Sequence, residues 1–439
     1  MEQNPITVVT DILPQYLQQL KNYLGPIGNS LRSNTVIQFS AYEHLHYCCF
    51  IVIEDENTPM GCQPANPVLV FEANVDGSTA DFLDDFLTKN PEFLQQVYGC
   101  CQGFPADRLA WRSYLQAHDL GANAFYIAHP GQTRRVVEYQ STVRQTIESY
   151  LDCNRPVLVT LPLDQIKQKI VAHLTAAIPG FMDNPPAPPS FAVKHGKAVL
   201  LGIILAALAV VVLLLVIFGL RAAVLMLGLT ALYALWLRWR ESNDKQDQRI
   251  QWNPAYRKEL QDMEDRQPQN HLSSITYLKA GRLRLWTLKL ILLVTNLAAR
   301  LSATEGKLSG IVTIHFARWV ILPGKTGERA RLLFFSNYDG SWENYLGEFV
   351  DHASLGLSAI WSNTENGDDR GFPDTQWLGL KGGARNEQLF KIYARNSQRR
   401  ELIWYSAYPD LAVKYVGNNK EILAGLFSDD QLTAWLKRL

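Results

Sequence analysis

The middle of the chain limits its architecture more than any other segment. From Ala198 to Leu220 run 23 consecutive residues without a charge, mostly Leu, Val, Ile and Ala. A helix needs about 20 apolar residues to cross the hydrocarbon core of a bilayer, whereas a helix packed in a soluble domain keeps a polar face. After Arg221 a second apolar run, Ala222 to Leu237, ends in Arg238-Trp239-Arg240. One helix over both runs would be about 60 Å long, roughly twice what the bilayer needs. The pattern therefore predicts a transmembrane helical hairpin over residues 197–240, turning near Gly219 and Arg221. Lys194, His195 and Lys197 precede it and Arg238 and Arg240 follow it, which sets both flanks on the cytoplasmic side under the positive-inside tendency. Arg221 then snorkels at the far interface. The competing arrangement is one span plus an interfacial helix, with the flanking domains on opposite sides.

A third segment, Leu283 to Leu301, is apolar but carries Arg284, Lys289 and Arg300. Its spacing serves equally a basic amphipathic helix on the membrane surface and a core helix of the second domain. Met1 to Leu20 holds Glu2 and Asp11 and no apolar run, so it does not read as a secretory signal. The first domain is expected to stay where it is made.

The chain has 439 residues, enough for two or three domains, with 42 basic and 42 acidic side chains. That balance gives no net field for a nucleic-acid partner. The six cysteines, Cys48, Cys49, Cys62, Cys100, Cys101 and Cys153, all fall in the first third without a Cys-x-x-Cys pair. Reduced thiols of a cytosolic domain are one reading, and a metal or redox site the other.

The chain also repeats itself. Leu45-His46-Tyr47 and the apolar run to Ile53 match Ile314-His315-Phe316 and the run to Leu322. The stretch from Leu69 through Asn74-Val75-Asp76-Gly77-Ser78 matches that from Leu332 through Asn337-Tyr338-Asp339-Gly340-Ser341. Gly103-Phe104-Pro105 recurs as Gly371-Phe372-Pro373, and Phe125-Tyr126-Ile127-Ala128-His129-Pro130 as Trp404-Tyr405-Ser406-Ala407-Tyr408-Pro409. Four ordered blocks predict two α+β copies, each ββαββα, a permuted ferredoxin-like order. In the second copy the last elements are expected at Glu401–Tyr408, Leu411–Val416 and Asn418–Phe427. A sheet with helices on one face needs cover on the other, and the two copies supply it by packing sheet on sheet as a pseudo-dimer. The expected division is residues 1–155 for the first copy, 156–196 for a Pro-rich linker and 197–240 for the hairpin. A charged connector with the amphipathic helix follows over 241–304, then the second copy over 305–439.

The duplicated polar residues are the candidate site. Asn74, Asp76, Asn337 and Asp339 either build a turn and helix cap or line a shared cavity. His46 and His315 are either core residues or a pair able to ligate a metal or haem iron. Strand alternation sets His315, Ala317 and Trp319 on one face and Phe316 and Arg318 on the other. Arg318 stands where the first copy has Cys49, either at an exposed edge or buried against Asp339 or Glu348. Tyr405, duplicated as Tyr126, completes the set, either as a core residue with one hydrogen bond or as a catalytic group. No Walker loop, dinucleotide fingerprint, His-Glu-x-x-His motif, nucleophile elbow or kinase signature occurs.

Residues 280–430, with Ile314-His315-Phe316-Ala317-Arg318-Trp319 and Ser336-Asn337-Tyr338-Asp339-Gly340-Ser341-Trp342, resemble an uncharacterised family of bacterial membrane proteins. More remotely, tandem ferredoxin-like repeats with an Asp-Gly element resemble the dimeric α/β barrel group, which includes dye-decolourising peroxidases and chlorite dismutase-like haem proteins. That resemblance implies a haem cofactor, with Asp339 as a distal and His315 as a proximal residue, although the spacing matches no peroxidase motif. The leading expectation is a bacterial inner-membrane protein with both α+β domains cytoplasmic, binding a hydrophobic or lipid-like ligand or a protein partner beside the lipid bilayer. The alternatives are a haem- or metal-dependent oxidoreductase, and an enzyme using Asp and His on membrane-borne substrates.

Overall fold

The computed structural model describes residues 2–31, 33–54, 59, 62–186, 188–189, 191–244, 254–264, 268–366, 371–428 and 432–439. The first half of the chain forms β1 (Gln3–Asp11), α1 (Leu17–Asn29), β2 (Leu45–Ile53), β3 (Val68–Asp76), α2 (Thr79–Lys89), α3 (Pro91–Tyr98), α4 (Trp111–Ala117), β4 (Ala124–Ile127), α5 (Arg134–Leu158) and α6 (Leu163–Ala177). Helix α7 (Phe191–Ser242) and α8 (Pro254–Met263) follow. The second half forms β5 (Gln269–Leu278), α9 (Arg282–Ser302), β6 (Ile314–Leu322), β7 (Arg331–Asp339), α10 (Trp342–Trp361), α11 (Glu387–Ser397), β8 (Glu401–Ser406), α12 (Val413–Leu426) and α13 (Leu432–Leu436). The chain is thus a mixed α+β protein with antiparallel sheets.

One sheet has the order β1-β3-β2-β8 and the other runs β5-β7-β6-β4, with the short segments Gln398–Arg399 and Thr364–Glu365 also paired to β5. In each, one edge strand comes from the other half of the chain: β8 lies on β2 and β4 on β6. The outer face of the first sheet is covered by α1 through α4, with Leu20, Phe82, Phe93 and Trp111 packed on Phe50 and Phe71. The outer face of the second is covered by α9, α10 and α11, with Leu288, Phe349 and Phe390 near Trp319 and Phe334. The inner faces meet through Val9, Ile51, Val70, Ile275, Val320 and Leu333. Sheets buried on both sides need apolar residues in both alternation phases, and β2 (LHYCCFIVI) and β3 (VLVFEANVD) have them. A separate helical cluster joins α5, α6, α12 and α13.

The observed order differs from the expected ββαββα. Each half opens with a further strand and helix, β1 and α1 or β5 and α9. Strand β5 therefore falls inside the span read as a charged connector, and residues 245–253 and 265–267 of that span lie outside the described residues. Ser273, Ser274 and Thr276 disguise β5, yet all ten of its residues are buried. The segment Leu411–Val416, β-like in composition, instead leads into α12. The stretch read as a linker contains α6.

Helix α7 spans 52 residues and is interrupted at Gly219, where φ 63° and ψ −160° leave helical geometry. The most apolar 18-residue stretch of Val193–Gly219 has no buried residue. Helix α9 has two apolar faces: Leu288, Leu292 and Ala299 enter the core, while Leu283, Trp286, Leu290, Leu293 and Val294 are all more than half exposed.

The contact of α1 with β8 ties the two halves through backbone. A Cβ on Gly28 would lie 1.8 Å from the carbonyl oxygen of Leu402, and no side-chain rotation relieves a clash with main chain. Gly28→Ala is expected to lower stability by about 1–3 kcal/mol, the usual cost of overpacking, measured by thermal unfolding of the full chain; an unchanged melting temperature would contradict this packing.

Candidate functional site

Both duplicated histidines sit at β-bulges. Pairing of β2 with β3 shifts register between Leu45 and Tyr47, and pairing of β6 with β7 shifts between Ile314 and Phe316. A bulge adds one residue and changes which face the chain presents. Strand alternation across His315 therefore fails: Ile314 and Ala317 both point into the outer core. His315 instead lies beside Tyr47 of the other sheet, with ring centroids 5.5 Å apart.

The two bulges carry the same bonds. His46 Nε2 is 2.9 Å from Asp76 Oδ1 and His315 Nε2 is 2.8 Å from Asp339 Oδ1. The second oxygen of each aspartate accepts a backbone N–H that opens a helix, Arg134 of α5 at 2.8 Å and Val413 of α12 at 2.7 Å. A carboxylate there also meets the positive end of the helix dipole. Gly77 and Gly340 both have φ 78°, a conformation that L side chains adopt rarely. Ser78 and Ser341 cap α2 and α10. Of the two readings of the Asn-x-Asp-Gly-Ser element, the turn and cap describe these contacts.

Tyr408 joins the two sites. Its hydroxyl is 2.7 Å from His46 Nδ1, and its ring centroid lies 5.8 Å from that of His46 and 6.2 Å from that of His315. Burial raises the Tyr408 pKa well above its ordinary value, so the phenol keeps its proton; its hydroxyl bonds Nδ1, while Nε2 bonds Asp76. Both ring nitrogens of His46 are thereby engaged, and a metal or haem iron on His46 would displace one of these bonds. Among the described residues no group of three or more His, Cys, Asp or Glu side chains is arranged to hold a metal ion. The Asp76–His46–Tyr408 chain has the order of a proton relay, but all three members are buried and its terminal hydroxyl is spent on the imidazole.

The remaining candidates scatter. Arg318 is neither at an edge nor paired with Asp339 or Glu348. It is buried between the sheets, with Nη2 2.9 Å from Glu72 Oε2, and it donates to Ile6 O, Ala73 O and Asn74 Oδ1. Burial raises the Glu72 pKa against the opposing pull of Arg318. Asn337 Oδ1 accepts from Trp404 Nε1 at 3.0 Å and contacts His271 Nδ1 at 3.0 Å. His271 lies 3.8 Å from Glu72 yet stays neutral, because burial lowers its pKa to about 3. Tyr405 does not join the histidines; it stacks near Phe39 in the outer core of the first sheet.

The sequence reading missed Gln3-Asn4 and Gln269-Asn270, which open β1 and β5. Gln3 pairs with Asp76 and Gln269 with Asp339. Asn4 and Asn270 each donate to the following glycine carbonyl, Gly77 O and Gly340 O, at 2.8 Å. Gln269 also bonds Leu411 O, Ser406 and Tyr47. The repeated Gln-Asn dipeptide was the signal available for them.

No protein-family model, curated protein or solved structure matches this chain.

Removing one member of a buried ion pair strands the other, at about 3–5 kcal/mol, whereas removing both costs less. Glu72→Gln and Arg318→Met are each expected to destabilise by about that amount, and the double variant by clearly less than the sum; additive losses by denaturant unfolding would show that the two groups are uncoupled. A pH dependence follows from two histidines that burial holds neutral, His129 with a pKa lowered to about 4 and His271 to about 3. Their contribution is complete above the unfolded value near 6.5 and is lost as pH falls through those values, on the order of 3 kcal/mol for His129 and 5 kcal/mol for His271. Glu401, raised to about 7 by burial, acts oppositely, its contribution fading as pH rises from about 4.5 through 7. Unfolding of His129→Gln followed from pH 7 down to 4 is expected to show a flatter acid loss than the parent; identical slopes would refute the assignment.

Proposed function

We propose that this chain is a membrane-anchored module in which two ferredoxin-like copies pack as a pseudo-dimer on the cytoplasmic face of a bacterial inner membrane. The apolar hairpin holds them there, beside the hydrophobic or lipid-like ligand, or protein partner, that they bind. The observation carrying this reading is the way α9 bridges the feet of α7. Gly196 approaches the backbone of Leu301 so closely that a Cβ would lie 2.3 Å from its carbonyl oxygen, and Tyr233 Oη is 2.8 Å from Thr287 Oγ1. Residues 196 and 233 would be about 55 Å apart on a straight helix, while 287 and 301 are about 21 Å apart on α9. These two contacts support a helix α7 that doubles back, with its break at Gly219, two residues before exposed Arg221, as the turn.

The feet are pinned by charge. Asp244 pairs with Arg284 at 2.7 Å and Lys279 at 2.8 Å, and Glu241 accepts the N–H groups of Trp377 and Leu378. The exposed stripe of α9 continues the apolar surface of the arms, with Arg282, Lys289 and Arg300 along it and Lys289 5.2 Å from the Trp286 ring centroid. This is the composition of a helix lying in the membrane interface. The His46–Asp76 contact recurs as His315–Asp339, which supports two copies of one unit, in which the histidines lock the bulges to the helix starts.

Protease protection of tags at both ends, in sealed membrane vesicles, tests the reading. Both tags are expected on the same, cytoplasmic, side; tags on opposite sides would rule out the hairpin. Purified protein with a Soret band lost in His315→Ala would favour the haem-dependent alternative instead.

A further inference from the structure

A cleft of about 700 Å³ opens at the foot of the first apolar arm, where Val193 forms part of its wall. Its lining includes Arg144, Lys307, Lys414, Lys420, Lys437 and Arg438 against two acidic residues, Glu305 and Glu421. Lys307, Lys414 and Lys437 are exposed and form no ion pair among the described residues. Arg144 is held in place by Glu148 at 2.7 Å and by the Tyr415 ring, 5.2 Å from its centroid. Arg438 is positioned by its carbonyl, which accepts from Asn418 at 3.0 Å. The cations thus converge from α5, α12, the C-terminal segment and the turn after α9 onto one concavity.

We propose that this cleft binds a phosphate group, supplied by the headgroup of an anionic phospholipid. Uncompensated cations in a concave wall concentrate an anion more than the same charges spread over a convex surface. The source follows from position. Val193 lies just before the apolar run, beside Lys194 and Lys197, and Gly196, one turn further, packs on the last turn of α9. The cleft therefore lies where the arm meets the in-plane helix, the level at which headgroups sit, and basic side chains near a bilayer each favour anionic lipid. The assignment rests on the membrane reading given above and names the ligand class for it.

The test uses the full-length protein in detergent, followed by native mass spectrometry with phosphatidic acid, phosphatidylcholine and inorganic phosphate as titrants. Phosphatidic acid is expected to bind at least about tenfold more tightly than phosphatidylcholine, and Lys414→Glu with Lys437→Glu to remove about tenfold of that affinity. Reversing two exposed lysines outside the cleft, Lys89→Glu with Lys381→Glu, is expected to leave it unchanged and controls for net charge. Inorganic phosphate that fails to compete assigns the site to lipid; phosphate that competes, with the same loss in the cleft variant, keeps the phosphate chemistry but makes the source soluble. Equal binding of the two lipids, or phosphatidic acid affinity untouched by the cleft variant, overturns the proposal. Release of the protein from membranes by alkaline carbonate would instead overturn the membrane reading, so the two failures are separable.

Discussion

A guanidinium and a carboxylate buried between two sheets set the terms on which this chain folds. Arg318 reaches from β6 across the interface to Glu72 on β3 and also binds the main chain of β1 and β3. A charge taken out of water is tolerated only with its partner and its hydrogen bonds in place, so the sheets meet in one register or leave a bare charge in an apolar layer. The pair is also asymmetric. Cys49 faces Glu72 across β2 and β3, where Arg318 faces Phe335 across β6 and β7. Two copies of either half alone would bury two like charges. On the proposed reading this favours the pairing of one half with the other over assembly with itself.

The edge strands make the same demand. β8 completes the sheet of the first half, β4 completes that of the second, and each is followed by a helix whose first N–H is held by an aspartate beside a bulged histidine. His46 with Asp76 and His315 with Asp339 thus join strand crossing to helix start. Their duplication follows because the same joint is built twice.

Much of this was legible in the residues. The Leu-His-Tyr and Ile-His-Phe strands, the Asp-Gly-Ser turns with their capping serines, and the apolar run broken at Gly219 all stand where their chemistry puts them. Other parts were hidden for physical reasons. β5 places serines and threonines in the interior, where Ser274 finds Ser397 at 2.6 Å, so its period-2 signal is weak. Leu-Ala-Val-Lys-Tyr-Val has the composition of a strand, but the Asp339 cap commits it to α12. The bulge at His315 reverses the facing that simple alternation assigns, and the partner of Arg318, Glu72, lies far away in sequence. No local pattern marks a contact formed only when two sheets close. α9 was ambiguous because it serves two surfaces, a core on one side and an exposed apolar stripe on the other.

Each half completes the sheet of the other around the buried pair. Hydrogen exchange of the full-length protein, resolved to peptides covering Ala124–Ile127 and Glu401–Ser406, tests this most directly. The amides of β4 and β8 are expected to be protected together with β3 and β7, and to lose protection together in Glu72→Gln. Rapid exchange of β4 and β8 while the six other strands stay protected would contradict it.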